Sequence, residues 1–195
     1  MSFSEPFDNF TKWFAEAEAN EPELANAVAI ATASKNAAPS QRMVLLKDWS
    51  EDGFVFYTNL SSRKGEELSQ NPQVAMLFHW KSLDKQIRIE GEVTQVSDAE
   101  ADEYFASRPR DSQIGAWASK QSTSMEGRFS LEKAVAKYAA KFHVGTVPRP
   151  PHWSGFRVKP KRFEFWCGKP FRLHERKIFI LNNQGDDWVE DLLYP

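Results

Sequence analysis

Three side chains near the end of the chain have types and spacing that could do chemistry. Arg172, His174 and Arg176 occupy every second position. We interpret their segment as a β-strand, where side chains two positions apart point to the same face. Two permanently charged guanidinium groups would then flank one imidazole that can titrate near neutral pH. The pattern is typical of a site that handles charge, but also of a solvated strand, and the spacing alone does not decide between them.

Four further cations, Arg42, Lys47, Arg63 and Lys64, surround two predicted strands and the start of a predicted helix. Tyr57-Thr58 lies on the second of these strands. Helix N-termini present free N–H groups and the positive end of the helix dipole, which suits phosphate. Arg42 and Lys47 are five positions apart and would face opposite sides of a regular strand, so they need a bulge or two different ligand groups. A solvated basic edge explains the spacing equally well.

A third set of polar side chains, Tyr104, Arg108 and Ser112, is spaced at four-residue intervals. The first two would share a helical face, and Pro109 should end that helix and leave Ser112 in the following turn. A phenol, a guanidinium and a hydroxyl form a compact set of donors for a phosphate. An ordinary surface Tyr/Arg pair is the alternative. The uncharged residues Gln86, Gln121 and Ser122 lie beside apolar runs and indicate little by themselves.

Composition excludes several classes of protein. The chain has 195 residues, enough for one domain with a sizeable core, and its formal net charge of −2 does not indicate a nucleic-acid binder. Cys167 is its one cysteine, and its four histidines form no metal-binding motif, so we expect no disulfide and no metal. No apolar run reaches the ~20 residues that span a bilayer, and the first six residues lack the pattern of a secretory signal. We therefore expect a cytoplasmic protein with no membrane partner.

The elements that must position these residues follow from apolar periodicity and turn signals. Helices are predicted at residues 7–19, at 61–68 as a helix start with a serine cap, and at 97–107, 114–119 and 131–142. Strands are predicted at 25–33, at 41–49 as a buried strand, and at 54–58, 74–80, 86–96, 155–158, 162–166 and 172–181, with a last piece near Trp188. This order of strands, then helices, then strands favours an α+β fold that is mainly β, with an antiparallel sheet or barrel and helices packed outside it.

Eight stretches of the chain, in the same order, resemble the pyridoxamine 5′-phosphate oxidase family. They are residues 42–47 (RMVLLK), 54–59 (FVFYTN), 62–64 (SRK), 86–91 (QIRIEG), 104–109 (YFASRP), 112–122 (SQIGAWASKQS), 147–150 (VPRP) and 164–176 (EFWCGKPFRLHER). The resemblance extends from about residue 7 to residue 188. It implies an FMN-binding split β-barrel that works as a homodimer, as one domain over residues 1–195 with 171–195 as a C-terminal oxidase-type segment.

The resemblance also implies a role for each candidate residue. The flavin would be bound by Arg42, Met43, Val44, Leu45, Leu46, Lys47, Tyr57, Thr58, Arg63, Lys64, Gln121 and Ser122 of one subunit and by Gln86, Trp166 and Arg176 of the other. The substrate would be bound by Lys47, Tyr104, Arg108 and Ser112 at its phosphate and by Arg172, Leu173 and His174 at its ring. Arg42 and Lys47 would thus serve two different phosphates.

The implied activity is the FMN-dependent oxidation of pyridoxamine or pyridoxine 5′-phosphate to pyridoxal 5′-phosphate, in vitamin B6 metabolism. Molecular oxygen would be the electron acceptor and hydrogen peroxide the second product. Arg172 and His174 would border the pyridine ring as the catalytic candidates, with Arg172 confining the ring and His174 helping with proton balance. Two alternatives stay open: a flavin oxidoreductase of the same fold with another substrate, and a non-catalytic protein that binds FMN or pyridoxal phosphate.

Overall fold

The computed structural model describes residues 5–21 and 23–195. Four of the six N-terminal residues discussed above therefore lie outside the described residues. Its helices are α1 (Glu5–Asn20), α2 (Arg63–Gln70), α3 (Asp98–Ser107), α4 (Arg110–Ala118) and α5 (Ser130–Lys141). Its strands are β1 (Ala27–Ala33), β2 (Pro39–Leu45), β3 (Asp48–Ser50), β4 (Gly53–Asn59), β5 (Gln73–Trp80), β6 (Lys85–Gln95), β7 (Trp153–Cys167), β8 (Glu175–Leu181) and β9 (Trp188–Leu192). The predicted α+β class is confirmed. None of the helices in this part of the chain is long and apolar enough to cross a membrane.

The strands form one antiparallel sheet that curls back on itself. Seven strands follow the order β2-β1-β5-β6-β7-β4-β3, and β8 and β9 extend the sheet from β7. Only Leu46 and Lys47 separate β2 from β3 in the chain, although these strands stand at opposite ends of that order. The Lys47 amide also donates a hydrogen bond to the Val55 carbonyl of β4, 2.9 Å away. So short a connection requires the two ends of the sheet to approach each other, as in an incomplete barrel.

The curled sheet encloses an aromatic core. Phe7, Phe10 and Phe14 of α1 are buried at helical spacing, and they contact rings of several strands. The Phe10 ring centre lies 4.8 Å from that of Phe54 and 5.3 Å from that of Phe78. Each buried ring contributes roughly 1.5–3 kcal/mol by leaving water, so α1 is a main stabilising element of the barrel.

A second, smaller cluster joins the helices α3, α4 and α5 to the start of β7. Its buried members are Phe105, Ile114, Phe142, Val147 and Trp153. The Pro-rich connector that follows α5 is tied down by Arg149, which forms ion pairs with Asp98 and Asp102 of α3 and donates to the Trp153 carbonyl. These contacts place α3, α4 and Trp153 beside the end of β4.

Four sequence predictions about elements are wrong. The segment 41–49 is not one buried strand, because β2 ends at Leu45 and is an edge strand with every residue at least partly exposed. Segments 155–158 and 162–166 form the single strand β7, which crosses Pro160 through a bulge opposite Glu90/Gly91. Ser112 lies in α4 rather than in a turn, since Pro109 both follows α3 and caps α4. The fourth error concerns the start of β8 and is described with the site.

Candidate active site

A cavity of about 670 Å³ opens between the β2–β3 corner, β4 and helices α3 and α4. Its walls contain eleven of the residues singled out by the sequence: Met43, Val44, Leu45, Lys47, Tyr57, Thr58, Lys64, Tyr104, Arg108, Ser112 and Gln121. Residues separated by up to 78 positions therefore meet in one place. The volume lies in the ordinary range of sites for small organic ligands.

The cavity wall contains a buried lysine whose hydrogen-bond partners are uncharged side chains. Lys64 lies in the first turn of α2, whose N-cap Ser62 accepts a hydrogen bond from the Gly65 amide as predicted. The Lys64 ammonium donates to the Thr58 hydroxyl and to the Gln121 side-chain oxygen, both 3.1 Å away. Burial, together with the charge of Arg42, lowers the pKa of Lys64 to about 8. A buried cation at a helix N-terminus, whose hydrogen-bond partners among the described residues are all neutral, is well suited to an anionic ligand.

Two arginines lie beside this corner and share one carboxylate. Arg42 Nη2 is 3.2 Å from Glu67 Oε2, and Arg63 Nε donates to Glu67 Oε1 at 2.9 Å. Burial alone would raise the pKa of Glu67, but hydrogen bonds from Ser40, Thr32 and both arginines outweigh it and lower the pKa to about 2. The carboxylate is therefore ionised at neutral pH, and both arginines have a fixed anchor.

The cavity wall also contains a guanidinium, that of Arg108, which forms no ion pair with any carboxylate in the described part of the chain. Arg108 caps the C-terminus of α3, and its Nη1 is buried without a hydrogen-bond partner among the described residues. Its guanidinium carbon lies 4.8 Å from the centre of the Trp153 ring, and burial lowers its pKa. Ser112 and Tyr104 line the cavity beside it. A buried N–H group without a partner is costly, so the geometry favours an anionic acceptor at this point.

Stacked aromatic rings form a wall between α3, β4 and β7. Tyr57 stacks on Tyr104 with ring centres 4.0 Å apart and on Trp153 at 5.2 Å, and all three rings are nearly parallel. Burial, with a smaller contribution from the charge of Glu100, raises the pKa of Tyr57 to about 12. Tyr57 is therefore a neutral hydrogen-bond donor at any ordinary pH.

The remaining polar candidates form a separate cluster on β6, β7 and β8. Gln86 of β6 lies opposite Trp166 of β7 in the strand register, and Trp166 lies opposite Arg176 of β8. The three residues therefore lie side by side across three strands. Arg176 Nε and Nη2 both donate to the buried Glu164 at 2.9 and 2.8 Å. The ring of His174 packs against Trp166 with centres 4.7 Å apart. His174 and Arg176 line a second cavity of about 610 Å³.

The predicted strand 172–181 is confirmed from Glu175 onwards, but its predicted start at Arg172 is wrong. Residues Pro170–Arg172 form a single 3₁₀ turn, and β8 begins at Glu175. Phe171 and Arg172 have φ values of 59° and 62°, in the left-handed region that a strand cannot contain. Strand alternation therefore does not place Arg172, His174 and Arg176 on one face. His174 and Arg176 still meet at the second cavity, whereas Arg172 and the exposed Leu173 are not among the residues that line it.

Other candidates also lie away from the first cavity. Leu46 is buried in the core, and Ser122, which has a φ of 70°, lines a small third cavity beside α5. Sequence reasoning missed several residues that line the first cavity, namely Asn59, Ser107, Pro109, Gly115, Ala116, Ser119 and Trp153. It also missed the two buried carboxylates. A signal existed for Glu67, which stands four residues after Arg63 on the same helix face.

Comparison with known proteins gives consistent matches over nearly the whole chain. Residues 14–167 match the family described as pyridoxamine 5′-phosphate oxidase, and residues 153–195 match the pyridoxine 5′-phosphate oxidase C-terminal dimerisation region. Pyridoxine/pyridoxamine 5′-phosphate oxidases from Brucella canis and Brucella melitensis are each 57% identical over 192 residues, which cover 98% of this chain and 95% of theirs.

Solved structures show the same fold. PhzG from Burkholderia lata, in complex with tetrahydrophenazine-1-carboxylic acid, superposes with a TM-score of 0.90 and 31% identity over 98% of this chain and 93% of its own. A pyridoxamine 5′-phosphate oxidase-related, FMN-binding protein from Nostoc punctiforme gives 0.74 with 16% identity, over 94% of this chain and 96% of its own. These likenesses confirm the predicted split-barrel fold.

Proposed function

The chain belongs to the pyridoxamine 5′-phosphate oxidase family and is an enzyme, and from this premise we propose that it oxidises pyridoxamine and pyridoxine 5′-phosphate to pyridoxal 5′-phosphate with FMN as cofactor. Bound FMN would supply the two-electron oxidation, with molecular oxygen as final acceptor and hydrogen peroxide as product. The residues of this chain would bind both phosphates, orient the ring and limit access of water. The proposal treats residues 1–195 as one domain, since β8 and β9 of the segment 171–195 continue the same sheet.

The Lys64 corner fits the phosphate of FMN. Lys64, Thr58 and Gln121 converge there, and the α2 N-terminus adds its positive dipole end. Arg42 and Arg63 stand beside it with their shared carboxylate behind them. No Gly-rich dinucleotide motif occurs in the sequence, which favours a mononucleotide flavin over FAD. Backbone groups of residues 43–47 and the Tyr57 side chain would contact the rest of the cofactor.

The observation that carries the substrate assignment is Arg108, a guanidinium in the cavity wall whose Nη1 has no hydrogen-bond partner among the described residues. With Lys47, Tyr104 and Ser112 on the same cavity wall, it forms a second anion site within the cavity that holds Lys64. Two anion sites in one cavity match a reaction in which cofactor and substrate each carry a phosphate. Fixing both phosphates would orient the substrate carbon over the flavin, and orientation of this kind can contribute about 7–11 kcal/mol to catalysis.

We further propose that the active site is completed by a second copy of the chain. The row Gln86, Trp166 and Arg176 does not line the first cavity, although the resemblance implies that it contacts the flavin. A homodimer resolves this separation, and the match to a dimerisation region supports it. Met43 and Leu45 on the open edge strand β2 are 61% and 45% exposed, so this edge has apolar surface for a partner to cover. Arg172, Leu173 and His174 would border the substrate ring, with Arg172 confining it and His174 assisting proton balance.

The same residues distinguish the proposed function from two alternative functions. PhzG has the same fold at 31% identity, and its structure contains a carboxylic acid ligand. The set Lys47, Tyr104, Arg108 and Ser112 provides more donors than one carboxylate needs, which favours a phosphorylated substrate. A non-catalytic flavin carrier would bind the same ligands without turning them over.

The decisive experiment combines cofactor identification with turnover. The purified protein is expected to release FMN when it is denatured. The intact enzyme should produce hydrogen peroxide and pyridoxal phosphate from both phosphorylated vitamers. Pyridoxamine without its phosphate is the matched control substrate and should react poorly. Release of FAD, or reconstitution with FMN that yields no product from either vitamer, would refute the proposal. Equal rates with and without the substrate phosphate would refute the role given to Arg108.

A further inference from the structure

Glu67 of α2 is a buried carboxylate that contacts three other elements of the structure. Its Oε2 accepts hydrogen bonds from the hydroxyls of Thr32 on β1 and Ser40 on β2, the latter at 2.6 Å, and also faces Arg42 Nη2. Its Oε1 accepts from Arg63 Nε at 2.9 Å. The Glu67 side chain is only 7% exposed. All four partners donate to it, three of them to Oε2 and one to Oε1.

These contacts fix how the two arginines are directed. Within the described residues Arg63 is anchored through Nε alone, and its side chain is 63% exposed, which leaves its two Nη groups at the surface. Arg42 is held by Thr32, Ser40 and Glu67 together, and its Nη1 donates to the Thr32 hydroxyl at 2.5 Å. A free arginine side chain loses rotamer freedom when it binds a ligand, and one that is already restrained loses less.

The Glu67 carboxylate also reduces the electrostatic repulsion among three neighbouring cations. Arg42, Arg63 and Lys64 carry three positive charges within one corner, and the charge of Arg42 already lowers the pKa of Lys64. One buried negative charge offsets part of this repulsion while leaving a net positive corner for an anion. We propose that Glu67 is a positioning residue that orients Arg42 and Arg63 toward the phosphate of the cofactor, an inference that rests on the proposed function.

The substitution Glu67→Gln separates orientation from charge compensation. If Glu67 acted only by cancelling positive charge, its neutral replacement would bind the phosphate more tightly. The structure predicts the opposite. A glutamine amide has one acceptor oxygen and one donor nitrogen, whereas all four partners of Glu67 are donors. The amide nitrogen must therefore face a donor, and at least one of the two arginines is turned away from its position.

The experiment compares the affinities of FMN and riboflavin, measured by flavin fluorescence, in the full-length protein. Riboflavin lacks the phosphate, so a change in phosphate positioning alters the ratio of the two affinities, whereas general loosening of the fold weakens both ligands. Glu67→Gln is expected to weaken FMN binding by about 10-fold or more, the effect of one lost charge-assisted hydrogen bond, with riboflavin little changed. Glu66→Gln is the matched control, because it removes the same charge from an exposed neighbour on the same helix.

Unchanged or tighter FMN binding by Glu67→Gln would overturn the inference, as would equal losses for both flavins. Ser40→Ala is the second variant should Glu67→Gln not fold, since it removes one donor and keeps the carboxylate. It should lower the FMN-to-riboflavin ratio by a smaller factor, and an unchanged ratio would count against the inference.

A second readout does not need flavin at all. Measurements of ¹⁵N relaxation should show an ordered Arg63 Nε–H group in the flavin-free wild type and in Glu66→Gln. In Glu67→Gln the same group should be disordered. A wild type that binds no flavin would refute the proposed function, while this signal would still decide the role of Glu67. Equal order of Arg63 in wild type and Glu67→Gln would refute the positioning role.

Discussion

The proposal that each active site is built from two chains predicts complementation between impaired variants. Arg108 lines the first cavity, whereas Arg176 stands in the separate row on β8. In a two-fold symmetric dimer that carries Arg108→Ala on one chain and Arg176→Ala on the other, one site receives both changes and the other receives neither. The mixed dimer should therefore contain one intact site, although both parent homodimers contain none.

The expected magnitudes follow from the contacts. Each arginine would give a charge-assisted hydrogen bond worth about 1.5–3 kcal/mol, so each homodimeric variant should lose roughly 10- to 150-fold in kcat/KM. The mixed dimer should recover about half of the wild-type activity per dimer, because one of its two equivalent sites is unaltered. The assay is peroxide formation by mixed dimers, isolated from co-expressed chains that carry two different affinity tags.

The control uses two changes from the same half of the site. Lys64 and Arg108 line one cavity of one chain, so a mixed dimer of Lys64→Ala and Arg108→Ala has one damaged residue in each site and should stay as impaired as its parents. Recovery in this control, or no recovery in the Arg108/Arg176 pair, would refute the two-chain site.

The remaining predictions concern single variants and pH. Arg108→Ala should raise the KM for the phosphorylated substrate while FMN stays bound, as measured by steady-state kinetics and flavin absorbance. Arg176→Ala should weaken FMN binding, whereas Arg172→Ala should slow flavin reduction in a single turnover, and a wild-type reduction rate would contradict the place given to Arg172. FMN affinity should fall as the pH rises through about 8, where Lys64 loses its proton, and Lys64→Met should abolish this dependence. Without FMN, the free energy of unfolding should rise between about pH 8 and the ordinary lysine pKa of 10.5, because in this range Lys64 binds more protons in the unfolded chain than in the folded one. Urea titrations with and without flavin measure this pH dependence.

Local signals in the sequence predicted most elements well. The serines that cap α2 and α3 and the apolar periodicity of α1 act within a few residues, so these helices can be predicted without knowledge of the rest of the chain. The start of β8 could not be predicted in this way. Phe171 and Arg172 adopt left-handed backbone angles that are usually taken by glycine or asparagine, and nothing in their side chains indicates such a turn.

The site was predictable in its parts but not in its arrangement. Family resemblance indicated the residues of both clusters, and the structure places Lys64, Arg108 and their neighbours in one cavity and Gln86, Trp166 and Arg176 in another place. Glu67 and Glu164 were missed because a charged residue next to arginines is usually a solvated partner. Only the packing of α2 and β7 shows that both carboxylates are buried.

If each active site is built from two chains as proposed, the separation of the two clusters on each chain links cofactor binding to assembly. If the flavin contacts both chains, the dimer binds it more tightly than a monomer does, and by thermodynamic linkage bound flavin must tighten the dimer by a corresponding factor. Loss of cofactor and loss of the partner subunit then become one coupled equilibrium. Dilution would release flavin even at a constant excess of free FMN, and a cell short of riboflavin would lose dimers together with catalysis.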